Sequence, residues 1–277
     1  MTEPGLDLTV LRRLTRPSHD ERLVGRRIRN HLDRHDGYVA FSGGKDSLAV
    51  THLALQVEPN VPVVFFDSGL EFPETHVYLD QVSELLGTTV QTYPARPDLL
   101  QLLMANGTWD HNAATLPGPT DLRQVLVDIP AAAAASDHGP GLLWGIRSAE
   151  SNGRAHLHRT ALRDQLRDAC SGCCSNAAQQ RLHHGGTVSR RDGTTAYSPI
   201  WDWTTPQVWS YLARHHLPVN PLYERLTRLG APPAAHRVTS IVDAHQLQAG
   251  RMVWLRRGWP ALWSVLQSAL PRLEETV

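Results

Sequence analysis

The sequence predicts an α/β fold with an open, mainly parallel, twisted sheet flanked by helices. Three observations favour this fold: apolar strand-like runs alternate with helical segments, turn residues separate them, and polar segments with glycine directly follow three of the strands. The 277 residues are enough to bury a full core. We predict a flexible N-terminal arm over residues 1–19, an α/β domain over 20–217 and a C-terminal helical extension over 218–277.

Each element is predicted from its own residues. The run Val63 to Phe66 is continuously apolar, as is typical of a strand in a sheet covered on both faces. Pro73 suits the first turn of a helix and Gly87 suits its end. The predicted strands cover residues 38–41, 63–66, 89–93 and 142–144. The predicted helices cover residues 21–35, 46–57, 73–86, 98–105 and 205–215, and residues 131–135 are either a helix fragment or a low-complexity linker.

Composition limits the class of protein. The formal net charge is zero and 41% of the residues are hydrophobic, which is typical of a soluble globular protein. No apolar run reaches the roughly 20 residues that a membrane-spanning helix needs, and residues 1–20 lack the apolar segment of a secretory signal. The three cysteines lie between positions 170 and 174 and cannot build a disulfide framework. A cytoplasmic protein without a membrane partner is therefore expected.

The stretch from Tyr38 to Val50 combines a strand, a glycine-rich turn and the start of a helix. Such a turn presents backbone N–H groups to an anion, and the helix N-terminus adds partial positive charge. Lys45 is the only lysine among 27 Lys and Arg residues, which favours a role that needs a compact charge. Asp46 is interpreted either as a helix cap or as a partner for Mg²⁺. The predicted nucleotide-binding residues of this turn are Ser42, Gly43, Gly44, Lys45, Asp46 and Ser47.

Two further segments follow predicted strands. They contribute the candidate nucleotide-binding residues Asp67, Ser68, Gly69, Gly145 and Arg147. Because the carboxyl ends of parallel strands meet at one edge of a sheet, we expect these segments to converge on the glycine-rich turn.

The spacing of Arg147 and Arg154 predicts two guanidinium groups on neighbouring turns of a helix, suited to phosphate or sulfate oxygens. The alternative is an arginine pair bridged by Glu150 on a solvated face. The candidate catalytic residues are Lys45, Asp46, Arg147 and Arg154.

Cys170, Cys173 and Cys174 form a C-x-x-C-C motif. Three thiolates can hold an iron–sulfur cluster with one iron left open, or receive sulfur covalently. A zinc ion would need a fourth ligand, for which His183 or His184 is available. An inert cluster of thiols is the alternative. The surrounding residues 151–191 are rich in arginine, which indicates either a track for nucleic-acid phosphates or a charged surface.

Four stretches carry a family resemblance. Residues 42–47 (SGGKDS) resemble the PP-loop of the ATP pyrophosphatases. Residues 65–75 (FFDSGLEFPET), 145–154 (GIRSAESNGR) and 198–209 (SPIWDWTTPQVW) are similar to signatures of the phosphoadenylyl-sulfate reductase branch. The stretches lie in family order and cover about residues 35 to 225.

The resemblance implies an adenine nucleotide alpha hydrolase-like fold with ATP and Mg²⁺ as ligands. It implies cleavage between the α- and β-phosphates and transfer of adenylate to an acceptor oxygen. Related DNA phosphorothioation and tRNA thiolation enzymes imply a role in sulfur incorporation. The expected partners are an adenine nucleotide, a nucleic acid or a sulfur-donor protein of the cysteine desulfurase type, and a second copy of the chain.

Two alternative functions stay open. The first is reduction of phosphoadenylyl sulfate or adenylyl sulfate. The thioredoxin-linked reductases end in a Cys-Gly-x-His motif, whereas this sequence has no cysteine after Cys174, so the reductase route is disfavoured. The second alternative is a nucleotide-sensing or nucleic-acid-binding partner without turnover, which would use the arginine-rich stretch.

Overall fold

The computed structural model describes residues 20–106, 118–119, 121–169, 172, 174–232, 236, 238 and 252–276. The strands are β1 (Gly37–Ala40), β2 (Val63–Asp67), β3 (Val90–Pro94), β4 (Gly141–Leu143), β5 (Thr187–Ser189) and β6 (Thr195–Tyr197). They form one sheet in the order β3-β2-β1-β4-β6-β5, parallel throughout except for the antiparallel pair β5 and β6. The predicted open, mainly parallel sheet is confirmed.

Helices flank this sheet. In the first half of the chain they are α1 (Glu21–His35), α2 (Lys45–Val57), α3 (Pro73–Leu86), α4 (Leu99–Asn106) and α5 (Ile129–His138), with a π-helical turn Gln124–Asp128 before α5. In the second half they are α6 (Asn152–Ala169), α7 (Ala177–His184), α8 (Thr205–Arg214), α9 (Leu222–Arg228), α10 (Met252–Gly258) and α11 (Pro260–Ala269). Short 3₁₀ helices cover Ser148–Glu150 and Pro271–Thr276. No helix among these described residues is both long and apolar enough to cross a membrane.

The central strands are apolar because both sheet faces are covered. Val39 of β1 pairs with Val63 of β2 on one side and with Leu143 of β4 on the other, and all three side chains are buried. The main hydrophobic cluster joins these strands to α1, α2, α3 and α8. A second cluster joins the C-terminal helices to α4 and to the segment after β2, through Phe72 and Trp259 among others. The C-terminal helices therefore support one of the segments at the carboxyl edge of the sheet.

Most predicted elements have the expected bounds. Helices α1 and α3 match, and Gly87 ends α3 in the left-handed conformation with φ 61°. The stretch 131–135 lies inside α5 and is not a linker. The predicted arm 1–19, the turn-rich stretch 107–117, Cys170 and Cys173 lie outside the described residues.

The hairpin of β5 and β6 was not predicted. Each of these strands has three residues, too few to display an alternating pattern. Their place in the sheet depends on the pairing of β6 with β4, from Gly141↔Thr195 to Leu143↔Tyr197. This long-range pairing extends the sheet beyond the four predicted strands.

Candidate functional site

The glycine turn (Ser42–Ser47) links β1 to α2. Gly43 has φ 73°, a conformation that favours glycine, and Gly44 is the N-cap of α2 without a side-chain hydrogen bond to the first turn. Ser42 N–H donates to Ser47 Oγ at 3.1 Å, and Ser47 Oγ donates to Gly44 O at 3.0 Å. These bonds hold the turn in shape, and the N-cap residue Gly44 supplies no side-chain acceptor to the first turn of α2, which favours an anion there.

Lys45, Asp46 and Arg147 form a chain of ion pairs beside this turn. Lys45 Nζ lies 2.5 Å from Asp46 Oδ2, and Arg147 Nε donates to Asp46 Oδ1 at 2.6 Å. Arg147 also donates to Trp203 O at 2.9 Å and to Thr205 Oγ1 at 3.3 Å, and it is buried. One carboxylate thus faces two cations, which leaves one net positive charge at the helix start.

Asp46 is not the helix cap, because Gly44 occupies the N-cap position. The cap interpretation is therefore wrong. Both carboxylate oxygens of Asp46 contact cations in this structure. Mg²⁺ in nucleotide sites is held by one or two carboxylates together with phosphate oxygens, so the interpretation of Asp46 as a Mg²⁺ partner stays a prediction.

Arg147 and Arg154 do not lie on neighbouring turns of one helix, so that prediction is wrong. Arg147 precedes the 3₁₀ helix, and its N–H donates to Glu150 Oε2 at 2.7 Å. Arg154 lies in α6, pairs with Glu150 at 2.5 Å, and its side chain is 42% exposed. The backbone turn after Arg147 separates the two arginine side chains. Of the predicted bridge through Glu150, only the ion pair with Arg154 is present.

The three strand-following segments meet, as predicted from the topology. A Cβ placed on Gly145 would lie 2.7 Å from Ser47 N, so the segment after β4 packs directly on the start of α2. Ser42 and Ser68 line one cavity of about 360 Å³. The rest of its lining is mainly apolar and comes from β1, β2 and the stretch before α5: Ala40, Phe41, Val64, Phe66, Leu122, Arg123, Leu126 and Val127.

The segment after β2 is a tight turn. Asp67 Oδ1 accepts the Gly69 N–H at 2.7 Å, and Gly69 has φ 77°. A side chain on Gly69 would meet Asp98 Cβ at 2.7 Å. Ser68 Oγ donates to Glu71 at 2.6 Å. Among the predicted residues of this turn, Ser68 lies on the cavity, while Asp67 and Gly69 shape the backbone.

Two residues that were not predicted from the sequence make hydrogen bonds to the glycine turn. Asn220 is buried and donates from Nδ2 to Gly43 O at 3.1 Å. Tyr223 Oη accepts the Lys45 N–H at 3.1 Å, and burial raises the pKa of Tyr223 above its usual range. Both follow α8, more than 170 residues from the turn, and no motif or spacing in the sequence connects them to it.

The cysteine motif is only partly described. Cys174 is partly buried, and Cys170 and Cys173 lie outside the described residues. The iron–sulfur, zinc and sulfur-carrier interpretations therefore stay predictions. His183 and His184, the suggested fourth zinc ligands, line a different cavity together with residues of α1 and β6.

The family model of the phosphoadenosine phosphosulfate reductase domain matches residues 37–236. The chain belongs to this family. The resemblance predicted from the four motifs is thereby confirmed. The matched residues include the glycine turn and the segments after β2 and β4 that meet it.

Known proteins of the family and of similar fold can be compared with this chain. A phosphoadenosine 5'-phosphosulfate reductase of Xanthomonas campestris pv. campestris (strain B100) is 28% identical over 186 residues, which are 66% of this chain and 64% of that protein. The chain thus matches less than two thirds of the length of this relative. The phosphoadenylyl-sulfate reductase of Candida auris in a phosphate complex has a TM-score of 0.46 at 18% identity and covers 87% of this chain and 90% of that chain. The U34-tRNA thiolase of Methanococcus maripaludis, solved with its 4Fe-4S cluster, has a TM-score of 0.43 at 12% identity, with 92% and 79% covered.

Proposed function

We propose that this chain binds ATP at the glycine turn and splits it between the α- and β-phosphates. An acceptor oxygen attacks the α-phosphorus, the bond from that phosphorus to the bridging oxygen breaks, and pyrophosphate leaves with the bond electrons. The acceptor becomes an adenylate and its proton passes to solvent. The observation that carries the proposal is the start of α2, where the N-cap Gly44 offers no side-chain acceptor and Lys45 follows, in the same turn as Ser42, which lines the cavity together with Ser68.

The charge of the site suits a triphosphate. The backbone N–H groups at the start of α2 and the ammonium of Lys45 supply donors for phosphate oxygens. Because Arg147 also neutralises Asp46, Lys45 can exchange its contact with Asp46 for a phosphate without leaving a buried carboxylate unpaired. Arg147 is then a positioning residue. Arg154, which is exposed and paired with Glu150, is the remaining predicted cation that a negatively charged acceptor can reach.

The cavity suits the adenosine part of the nucleotide. Its volume of about 360 Å³ falls in the range of small-molecule sites, roughly 300–1,000 Å³. Phe41, Val64 and Phe66 offer apolar surface, and the hydroxyls of Ser42 and Ser68 offer hydrogen bonds. No step of this proposal passes through a protein-held metal ion, and Mg²⁺ enters the assay as the counterion of ATP.

The decisive experiment incubates the full chain with ATP, Mg²⁺ and candidate acceptors and scores pyrophosphate and AMP. With the native protein we expect pyrophosphate from the adenylylation step, and AMP when water or a second nucleophile attacks the acceptor adenylate and AMP leaves. Lys45→Ala removes the only lysine and should lower the rate about 100-fold or more, as loss of one transition-state donor does. Arg26→Ala, an exposed cation on α1, is the matched control and should retain the native rate. Tight ATP binding without any product would instead indicate a nucleotide sensor.

We further propose that the activated acceptor serves sulfur incorporation into DNA or RNA, with Cys170, Cys173 and Cys174 as sulfur relay or cluster ligands. The motif and the arginine-rich stretch around it support this step, because thiolates carry sulfur or iron and arginines attract phosphates. Protein purified without oxygen should contain iron, acid-labile sulfide or a persulfide. A protein with none of these would remove the cysteine role and leave the adenylylation proposal standing.

Reduction of phosphoadenylyl sulfate is the second candidate, favoured by the names of the relatives. In that reaction a thiolate attacks the sulfate sulfur, the nucleotide bisphosphate leaves, and a dithiol such as reduced thioredoxin releases sulfite and becomes a disulfide. The three cysteines between positions 170 and 174 are the only thiols of this sequence. Sulfite release that survives replacement of all three by serine would exclude this route.

A further inference from the structure

A second cavity lies away from the glycine turn, between α1, α6, α7 and the hairpin of β5 and β6. Its volume is about 410 Å³. The lining is rich in cationic and imidazole side chains and contains no carboxylate. The residues of this lining that matter here are Arg27, His31, Arg34, His35 and Tyr197. None of them belongs to the site proposed for ATP.

Two buried polar atoms on this cavity lack a partner. His31 Nε2 and Tyr197 Oη make no hydrogen bond within the described residues. His31 is 7% exposed and Tyr197 is 2% exposed. Buried polar groups are almost always hydrogen-bonded, and an unpaired one costs about 1–3 kcal/mol. Both atoms lie beneath the cavity wall, so the case for an occupant rests on the charged side chains that line the cavity.

The electrostatic surroundings of the cavity indicate the sign of the charge that an occupant would carry. Arg27 donates to Gly185 O and its guanidinium lies 4.9 Å from the centre of the Tyr197 ring, so it is fixed at the cavity wall. Burial, followed by the charge of His35, lowers the pKa of His31 to about 4. Cationic neighbours thus face each other without a counter-charge on the cavity lining.

We propose that this cavity is a second anion site that binds a small molecule carrying a phosphate or sulfate group. Arg27 and Arg34 supply guanidinium donors suited to tetrahedral oxyanions, and the threonine and serine hydroxyls of the lining supply further hydrogen-bond donors. The volume exceeds that of a free oxyanion and leaves room for the body of an ester. A metal ion fits less well, because the described residues include no three ligand side chains placed to hold one.

The test measures binding of inorganic phosphate, sulfate and AMP to the full chain in the Lys45→Ala background, which weakens the proposed ATP site. Arg34 is exposed and Arg34→Gln should preserve the fold while lowering affinity roughly tenfold, the effect of one charge-assisted bond. Arg26→Gln on the same helix is exposed, does not line the cavity and should leave affinity unchanged. The free anions and AMP separate an inorganic ligand from an ester.

An independent readout is the guanidinium N–H signal of Arg27 in NMR titrations. An anion in the cavity accepts hydrogen bonds from the guanidinium groups that line it, so its binding should shift this signal. Affinity that Arg34→Gln does not change, an Arg27 signal that phosphate and AMP leave in place, or binding of Zn²⁺ in preference to the anions would overturn the proposal. This test involves no turnover, so it stands or fails separately from the proposed ATP reaction.

Discussion

Arg147 Nε donates to Asp46 Oδ1 across 2.6 Å and thereby joins the segment after β4 to the first turn of α2. The arginine side chain is 2% exposed and the aspartate side chain is 15% exposed. This pair fixes the two segments that frame the glycine turn. Arg147 and Lys45 share this carboxylate, because the Lys45 ammonium lies 2.5 Å from Asp46 Oδ2.

Replacing Arg147 by lysine tests this link. Lysine keeps the charge but cannot reach Asp46, Trp203 O and Thr205 Oγ1 together. We expect a loss of about 2–4 kcal/mol in the free energy of unfolding, measured by urea denaturation. Arg154→Lys is the matched control, since its exposed pair with Glu150 is worth less than about 1 kcal/mol. Equal losses in both variants would contradict the role assigned to Arg147.

Gly145→Ala tests the contact between the segment after β4 and α2. The added methyl would lie 2.7 Å from Ser47 N and 2.8 Å from Asp46 C, both backbone atoms of α2. We expect the two segments to move apart, with a stability loss of about 1–3 kcal/mol and weaker nucleotide binding measured by calorimetry. Gly153→Ala in α6 meets only Ser151 Oγ at 3.9 Å and should be neutral or stabilising. If Gly145→Ala binds the nucleotide with the affinity of the native protein, the two segments accommodate the added methyl group without loss of the site.

Asn220→Asp tests the hydrogen bond by which Asn220 contacts the glycine turn. The change replaces an N–H donor by an oxygen about where Asn220 Nδ2 now lies, 3.1 Å from Gly43 O. Two acceptors then face each other in a buried place, so we expect a stability loss of about 1–3 kcal/mol and reduced ATP affinity. Asn60→Asp, at an exposed position beyond α2, is the control. Affinity measured at pH 7 that is the same for native protein and Asn220→Asp would disprove the link.

His52 makes stability depend on pH. Burial, followed by the charge of His215, lowers its pKa from 6.5 to about 4, while Glu21 opposes this shift. Its Nδ1 lies 2.6 Å from Tyr211 Oη. Between these pKa values the unfolded chain binds a proton that the folded chain does not, so stability falls as the pH drops from 6.5 towards 4.

The size of this effect is on the order of 3 kcal/mol for one such histidine. His52→Gln should flatten the fall in the free energy of unfolding over this window, measured by denaturation at several pH values. His156→Gln, at an exposed position on α6, should leave the slope unchanged. His31, whose pKa is also about 4, accounts for part of the slope that stays in the His52 variant.

Local sequence patterns predicted the structure correctly wherever the interactions that form an element lie between residues close in sequence. The glycine turn, the apolar strands and the ends of α3 depend on neighbouring residues, and their prediction is confirmed. The meeting of the segments after β1, β2 and β4 also followed from sequence, because strands running in parallel place their carboxyl ends at one edge. The family followed from the same motifs.

The ion-pair and hydrogen-bond partners of the charged side chains could not be predicted from the sequence. The sequence placed Arg147 and Arg154 on one helix, but a 3₁₀ turn intervenes and Arg147 points its guanidinium to Asp46, 101 residues earlier. Asn220 and Tyr223 reach the glycine turn only because α8 and the segment after it pack beside α2.

By itself, then, the sequence determined the α/β fold, the family and the positions of the glycine turn and its two companion segments, since these depend on local patterns and strand direction. Only the tertiary structure decided which charges pair, which residues brace the turn, and that a second cationic cavity exists. Those features arise from contacts between distant segments, and no local periodicity records them.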